Sequence, residues 1–415
     1  MTKKVLIICF TFPPYPGIGG RRWAKFAKYL AESGVDVSVI AAKKKQGSVS
    51  SWASDIESYR EKIEYIKTNY PLVLTRVPKT FIEKVCYKLA LLYVKLFTKG
   101  NYYDHSVFWR KNLLKATEGK IKQGYNNIIV SCAPFATAYY VAELKEKYPN
   151  INLIVDFRDP WTNNKTSFGF TTISSKRLEV EKVRERVVAN KSDYILTVSD
   201  AMTDYYKSFG TEKKCLTVKN GFDYSDFESL EGCKSQNEKL RFVFAGTFYH
   251  KSLHVFENFC ESLREIREEN EDVFNKLEFH FFGDMPMQFK EIAGEIVSIV
   301  FHNRVSLESA YMEIAKGNLA MLFLTDDLNH SFSTKFYEYI ALQKLIAVFS
   351  SRGETACYVE ENRLGYACDL GNIKNSLLKI HSDWKKGALV FNQEYNLSQH
   401  DVKNICQDQI IPLLK

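Results

Sequence analysis

The sequence predicts an α/β protein of two domains, each built on a parallel sheet of nucleotide-binding type. Three observations predict it. Apolar strand-like runs alternate with helical runs nearly throughout the chain. The alternation begins twice, once at Val5 and again at Leu240. A chain of 415 residues also exceeds one compact core and suits two.

The elements follow in order. VLIICF, residues 5–10, is a continuous buried strand, and RRWAKFAKYLAES, residues 21–33, is a helix whose Trp23, Phe26, Ala27 and Leu30 share one apolar face. Gly34 ends that helix and VDVSVIAA is the next strand. NIIVS, INLIVDF and DYILTVS are later strands of the first half, each followed by a helical run. The second half repeats the scheme with LRFVFAG, LEFHFFGD, NLAMLFL and LIAVFS. The boundary is expected in ESLEGCKSQNEK, residues 228–239, which has no apolar periodicity and precedes a fresh strand. This gives domains at 1–230 and 238–395, with a short C-terminal helix from Asn396 to Lys415.

Composition narrows the function classes. No stretch reaches the roughly 18 uninterrupted apolar residues of a membrane span, and VLIICF is too short for a signal-peptide core. The nine cysteines are scattered without a CxxC pair. Cys9, Cys132 and Cys260 lie in apolar runs, so they read as reduced core residues of a cytoplasmic protein. Residues 1–200 hold 33 Lys and Arg against 18 Asp and Glu, a balance of +15; the remainder holds 24 against 31, a balance of −7. The split suits an anionic partner of the first half. Nucleic acid is not expected, since no helix-turn-helix, zinc-finger or RNP signature is present. A membrane surface or a phosphate-bearing acceptor is. In residues 79–99, Lys84, Lys88, Lys95 and Lys99 form a narrow basic stripe on an apolar helix. Such a helix either lies in an anionic lipid interface or is buried in its own domain with one wet edge. The expected location is cytoplasmic, at the inner face of the membrane.

Five segments carry chemistry. In SFSTKFYEYIALQKLI, residues 331–346, Ser333 stands at a helix N-cap, and Lys335 precedes Glu338 by three residues. Free backbone N–H groups and the positive dipole end suit a diphosphate, as does the Lys; the Glu one turn on suits a ribose diol. In TFPPYPGIGG, residues 11–20, the spacing is wrong for a dinucleotide fingerprint. Gly17, Gly19 and Gly20 still allow backbone to approach a phosphate, with Arg21 and Arg22 beside it. In VDFRDPWTNN, residues 155–164, a strand ends in Asp156, Arg158 and Asp159, where α/β ligands bind; a structural Arg–Asp pair is the other reading. In LTVKNGFDYSDF, residues 216–227, Asn220-Gly221 makes a turn anchored by Phe222 and Phe227. In FVFAGTFYHKS, residues 242–252, Lys251 follows a strand that ends at Gly246. No DxD metal cradle stands out, and Asp326-Asp327 reads as loop.

Taken in order along the whole chain, these segments resemble the family 4 retaining glycosyltransferases, specifically a subgroup with a DxRDPW block and an SxKxxEY donor segment. Ser131 to Thr137 within SCAPFATAYY, and GETACYVEENRLGYACDL, add to the likeness. The resemblance implies the GT-B fold, two Rossmann-like domains facing a cleft, with the C-terminal helix crossing back to the first. It implies transfer with retention from a nucleoside-diphosphate sugar, UDP being the expected nucleotide, with no cofactor and no metal. The acceptor would be a glycan or lipid-linked intermediate of capsule, O-antigen or exopolysaccharide assembly. Lys251, Lys335, Ser333, Thr334, Gly19 and Gly20 would hold the diphosphate, Glu338 the ribose, and His330 and Glu354 the donor sugar. Asp159, with Arg158, would meet the transferred sugar and the acceptor hydroxyl. The chain departs from the family at Thr247, where an Arg is usual, and at His330, where a Glu is usual. A sugar-nucleotide epimerase and a non-catalytic binding or scaffold protein on the same fold are the alternatives.

Overall fold

The computed structural model describes residues 2–15, 17–44, 50, 52–164, 168–211, 214–230, 238–248, 250–325 and 332–415. Of the segments singled out above, His330, Ser331 and Asp326-Asp327 lie outside the described residues.

The chain divides into two compact units, Met1–Lys219 with Val402–Lys415, and Asn220–Asp401. The second unit thus begins ahead of residues 228–239, of which 231–237 lie outside the described residues. The reason is Phe222. It is fully buried in the second unit's core, its N–H donates to the His400 carbonyl at 3.0 Å, and it bridges Asp401 in parallel. The Asn220-Gly221 turn is therefore tied to the unit that follows it.

The first unit holds seven strands and their helices: β1 (Lys4–Cys9), α1 (Arg21–Glu32), β2 (Asp36–Ala42), β3 (Ile63–Ile66), α2 (Phe81–Phe97), α3 (Arg110–Lys122), β4 (Asn127–Cys132), α4 (Ala136–Lys147), β5 (Asn152–Phe157), α5 (Ser175–Lys191), β6 (Tyr194–Thr197), α6 (Asp200–Tyr206) and β7 (Cys215–Thr217). The strands run in the order β3-β2-β1-β4-β5-β6-β7, all parallel. β1, β4 and β5 are covered on both faces, and so they read as unbroken apolar runs. The C-terminal segment packs on this unit. The Cys406 thiol reaches the Phe26 carbonyl at 3.7 Å, and Asn127 Oδ1 accepts the Lys415 N–H at 2.8 Å.

α2 resolves the two readings of residues 79–99. Thr80 and Glu83 close a capping box at its start, but Val94 is its only fully buried side chain. The reading that buries this helix in its own domain does not hold; its apolar residues face outward.

The second unit holds β8 (Leu240–Ala245), α7 (Leu253–Glu269), α8 (Glu271–Phe274), β9 (Leu277–Phe282), α9 (Met287–Ala293), β10 (Ile299–His302), α10 (Leu307–Lys316), β11 (Leu319–Phe323), α11 (Thr334–Ala341), β12 (Leu345–Ser350), α12 (Glu354–Glu361), β13 (Gly365–Asp369) and α13 (Ile373–Lys385). Its order is β10-β9-β8-β11-β12-β13, again all parallel. Phenylalanine dominates the core: Phe244, Phe248, Phe256, Phe259, Phe281 and Phe323 form one network of ring contacts. In each sheet the strand order reverses once, between β1 and β4 and between β8 and β11. Such switch points open a crevice at the carboxyl ends of the strands.

Candidate functional site

In the second unit the loops after β8 and β9 and the N-terminus of α11 come together at this switch point. Ser333 caps α11, its Oγ accepting the Phe336 N–H at 3.4 Å. The first turn of α11 carries no acidic residue, so its positive end is uncompensated from within. Lys335 projects from that turn. Its ammonium lies 4.4 Å from the centroid of the Phe244 ring at the end of β8. Among the described residues it makes no hydrogen bond and no ion pair. Burial lowers its pKa from the ordinary lysine value to about 8, against a smaller opposing pull from the nearby Glu338. The molecule thus holds a desolvated cation at a helix N-terminus with no counter-charge bonded to it.

Two glycines make room for it. Gly246 has φ +143°, and a Cβ there would lie 2.5 Å from Lys335 Cε. Gly283, after β9, has φ +139°, and its Cβ would lie 2.1 Å from the Gly246 carbonyl oxygen. The two loops touch backbone to backbone beneath the lysine, which only residues without a side chain permit. The sequence reading missed Phe244 and Gly283. The signal was present in the FFGD that ends β9, a second strand closed by Gly.

The other expected donor residues sit as follows. Glu338 and Thr334 are partly buried on α11, with Glu338 close enough to Lys335 to act on its charge. Lys251 is exposed in the turn His250–Ser252 and Thr247 is exposed in the loop after Gly246. Glu354 is exposed at the start of α12.

In the first unit the residues of the DFRDPW block divide by role. Asp156 is fully buried and accepts from Arg22 Nε and Nη2, both at 3.2 Å, and from Trp23 Nε1 at 2.6 Å. Arg22 also donates to the carbonyls of Val218 and Lys219. Arg22 is therefore committed to the core, and Arg21 is buried with its guanidinium over the Trp52 ring. The expectation that both arginines stand beside a phosphate is corrected for Arg22, whose charge answers Asp156. Arg158 donates to the carbonyls of Cys132 at 2.8 Å, Gly19 at 2.9 Å and Ala133 at 3.2 Å. It braces the loop after β1 against the loop after β4. Gly20 is pressed against the chain opposite, where a Cβ would meet the Thr11 carbonyl at 2.8 Å.

Asp159 differs from its neighbours. Its carboxyl accepts no hydrogen bond among the described residues, and burial pushes its pKa up against the smaller pull of Arg158. Trp161 anchors the loop beyond it, fully buried, with Nε1 donating to Glu181 of α5 at 2.9 Å. A group held without partners on a fixed loop can donate or take a proton.

A cavity of about 990 Å³ opens at the carboxyl ends of β2, β1 and β4 in this unit. Lys43, Lys44, Arg76 and His105 line it together with Tyr70 and Phe135. Asp104 in its wall accepts the Phe135 and Ala136 N–H groups at 2.8 and 2.9 Å and so caps α4 from outside. Burial lowers the pKa of His105 below the ordinary imidazole value, against the smaller opposing pull of Asp104. Sequence reading missed Asp104 and His105. They lie in NYYDHS between α2 and α3, away from any strand end, where no motif marks them. Among the described residues no group of His, Cys, Asp and Glu could hold a metal ion.

No family model and no curated protein matches the sequence. Solved structures do match over nearly the full length. The UDP-GlcNAc 2-epimerase of Neisseria meningitidis, bound to UDP-GlcNAc, superposes with TM-score 0.57 at 11% identity, over 99% of each chain. MnaA of S. aureus, in a co-structure with UDP, gives 0.51 at 11%, over 99% of this chain and 95% of that one. The trehalose-6-phosphate phosphatase N-terminal domain of Candida albicans gives 0.60 at 12%, over 100% and 97%. These likenesses establish the fold: an α/β protein of GT-B type, with two Rossmann-like parallel-sheet units.

Proposed function

We propose that the protein is an enzyme acting on a nucleoside-diphosphate sugar, with a UDP-sugar as first substrate to try. The observation that carries the reading is Lys335, a desolvated ammonium at the N-terminus of α11 that lies against the Phe244 ring and has no bonded partner among the described residues. A diphosphate supplies the missing anion. The uncapped N–H groups of the first turn of α11 and the side chain of Thr334 would share its oxygens, and Glu338 would take the ribose hydroxyls. When the sugar–phosphate bond breaks, negative charge grows on the diphosphate, and these fixed donors stabilise it without a metal ion. Two of the fold's relatives were solved with UDP-GlcNAc or UDP bound, which supports this choice of ligand.

Two reactions fit such a site. Epimerisation of the bound sugar has the support of the N. meningitidis relative, an enzyme of that activity. Asp159, whose carboxyl accepts no hydrogen bond among the described residues, is the first unit's candidate for a proton-handling group. Glycosyl transfer, with the sugar delivered to a glycan or lipid-linked acceptor, has the support of the ordered motif resemblance and of the cationic and aromatic cavity of the first unit. In that reading His330 and Glu354 meet the donor sugar, and Lys251 adds to the diphosphate charge. Incubation with UDP-GlcNAc and other UDP-sugars, followed by proton NMR, separates the outcomes. Interconversion of the sugar nucleotide without acceptor identifies an epimerase. Release of UDP that depends on an added acceptor identifies a transferase. Neither, together with retained UDP binding, identifies a non-catalytic binding protein.

A further inference from the structure

α2 is a 17-residue helix, about 25 Å long, attached to the first unit by one narrow stripe. Val94 and Leu91 pack with Leu74, Tyr70 and Tyr102. Arg177 of α5 clamps the far end, donating to the carbonyls of Lys95 and Gly100, each at 2.7 Å. The opposite side is apolar and bare. At about 100° per residue, Phe81, Ile82, Val85, Leu89, Leu92 and Leu96 all fall within about 60° of the direction pointing away from Val94. Leu89 is 63% exposed and Leu96 72%. A firmly anchored helix that offers its broad apolar face to water is built to be covered.

The charges name what covers it. Lys84 and Lys88 stand exposed on one flank of that face, about 40° apart around the helix, while the Lys95 ammonium turns back over the Tyr102 ring at 4.8 Å and Lys99 lies past the helix end. The one acidic residue of α2, Glu83, is turned to the capping box, where its carboxylate accepts the N–H groups of Lys79 and Thr80. The flank therefore carries a single sign, and no acidic residue on the helix can pair with it. The unit that bears α2 holds 39 Lys and Arg against 21 Asp and Glu. No helix of the described residues is long and apolar enough to cross a membrane, and α2 is not.

We propose that α2 is the element by which the protein docks on an anionic lipid bilayer. The helix lies flat at the interface, its outward face among the upper acyl chains, and Lys84 and Lys88 extend to the lipid phosphates. Leu72 and Arg76, which precede α2 and line the cavity of the same unit, place the cavity mouth beside the docked helix. This inference does not depend on which reaction the second unit supports.

Flotation with vesicles tests it, using phosphatidylcholine alone and phosphatidylcholine mixed with phosphatidylglycerol. The full chain should float with the mixed vesicles at low salt, and much less with neutral vesicles or at high salt. Lys84→Gln and Lys88→Gln together should lower the partition coefficient, by about five-fold per lysine. Leu89→Glu with Leu92→Glu should abolish flotation while UDP binding and thermal stability stay as in the unaltered chain, since both side chains are exposed in the folded protein. Absence of flotation with anionic vesicles overturns the proposal. So does a dimer in light scattering that Leu89→Glu dissociates while vesicle binding is unchanged, because a second copy then covers the face.

Discussion

The Lys335 ammonium stands 4.4 Å from the centroid of the Phe244 ring, and nothing else described answers its charge through a bond. An aromatic face compensates a cation only in part. The remainder of the desolvation cost is a property of the ligand-free protein, and a bound anion removes it. Lys335→Met keeps the length and apolar contacts of the side chain and deletes the charge. Affinity for UDP in titration calorimetry should fall by about 1.5–3 kcal/mol, the size of a hydrogen bond to a charged group. The melting temperature of the ligand-free protein should rise, because the substitution removes a desolvated cation. A variant that melts lower and binds UDP as before would show Lys335 to be a packing residue.

The depressed pKa gives a pH dependence with a definite sign. Between pH 8 and the ordinary lysine value of 10.5, unfolded chains keep this proton and the ligand-free folded protein loses it. Folding stability therefore gains from this group as pH rises through that window, and below pH 8 the group weighs against folding. Binding shows the opposite trend. The phosphates need the ammonium, so UDP affinity should be flat below pH 8 and fall above it, toward a limiting slope of about tenfold per pH unit. Calorimetry at pH 9 in two buffers of different ionisation enthalpy should register proton uptake on binding. Equal heats in the two buffers would exclude a lysine that protonates on binding.

Gly246→Ala tests the room beneath the lysine without touching any charge. The new methyl would sit 2.5 Å from Lys335 Cε and 2.6 Å from Nζ, at a φ of +143° that alanine resists. Lys335 must move, so UDP affinity should fall to near that of Lys335→Met. Gly283→Ala meets backbone at 2.1 Å, where no flexible chain can yield. It should lower the melting temperature as well as the affinity. Thermal shift with and without UDP reads both effects.

The sequence made the fold legible because the sheets are parallel and covered on both faces. Their strands then appear as unbroken apolar runs such as VLIICF and LIAVFS, spaced by helices. The α11 segment was legible for a local reason: an N-cap Ser and the Lys and Glu after it lie within six residues of one another. What escaped was tertiary. Phe244 meets Lys335 across 91 positions of sequence, and Asp104 caps a helix that begins 32 residues later. Arg22 looked like a phosphate ligand beside its glycines, and only the fold shows it bound to Asp156, 134 positions away. The outward turn of α2 was equally hidden. A helix this apolar usually faces a core, and its pattern gives the angle between stripes without saying which stripe faces the protein.

Asp156 and Asp159 stand three residues apart, and the structure assigns them opposite behaviour under substitution. Asp156 answers Arg22 in a site where both side chains are nearly or fully buried. Asp156→Ala leaves a buried guanidinium without its counter-ion and should cost about 3–5 kcal/mol of stability. Whatever activity is lost would follow the loss of folded protein. Asp159 has a raised pKa, so its folded state favours the neutral acid. Its contribution to stability is complete below the ordinary value of 3.8 and declines as pH rises through the raised value. At pH 7 the half-buried carboxylate therefore counts against folding. Asp159→Asn, which is neutral at every pH, should raise the melting temperature at pH 7, and the gain should shrink as pH approaches 4. UDP affinity should change little, since the proposed nucleotide ligands belong to the other unit. Turnover of the UDP-sugar should fall by about two to four orders of magnitude, the range for removing a general acid or base. Full turnover in Asp159→Asn would return this carboxyl to the loop and leave the proton-handling group to be found elsewhere.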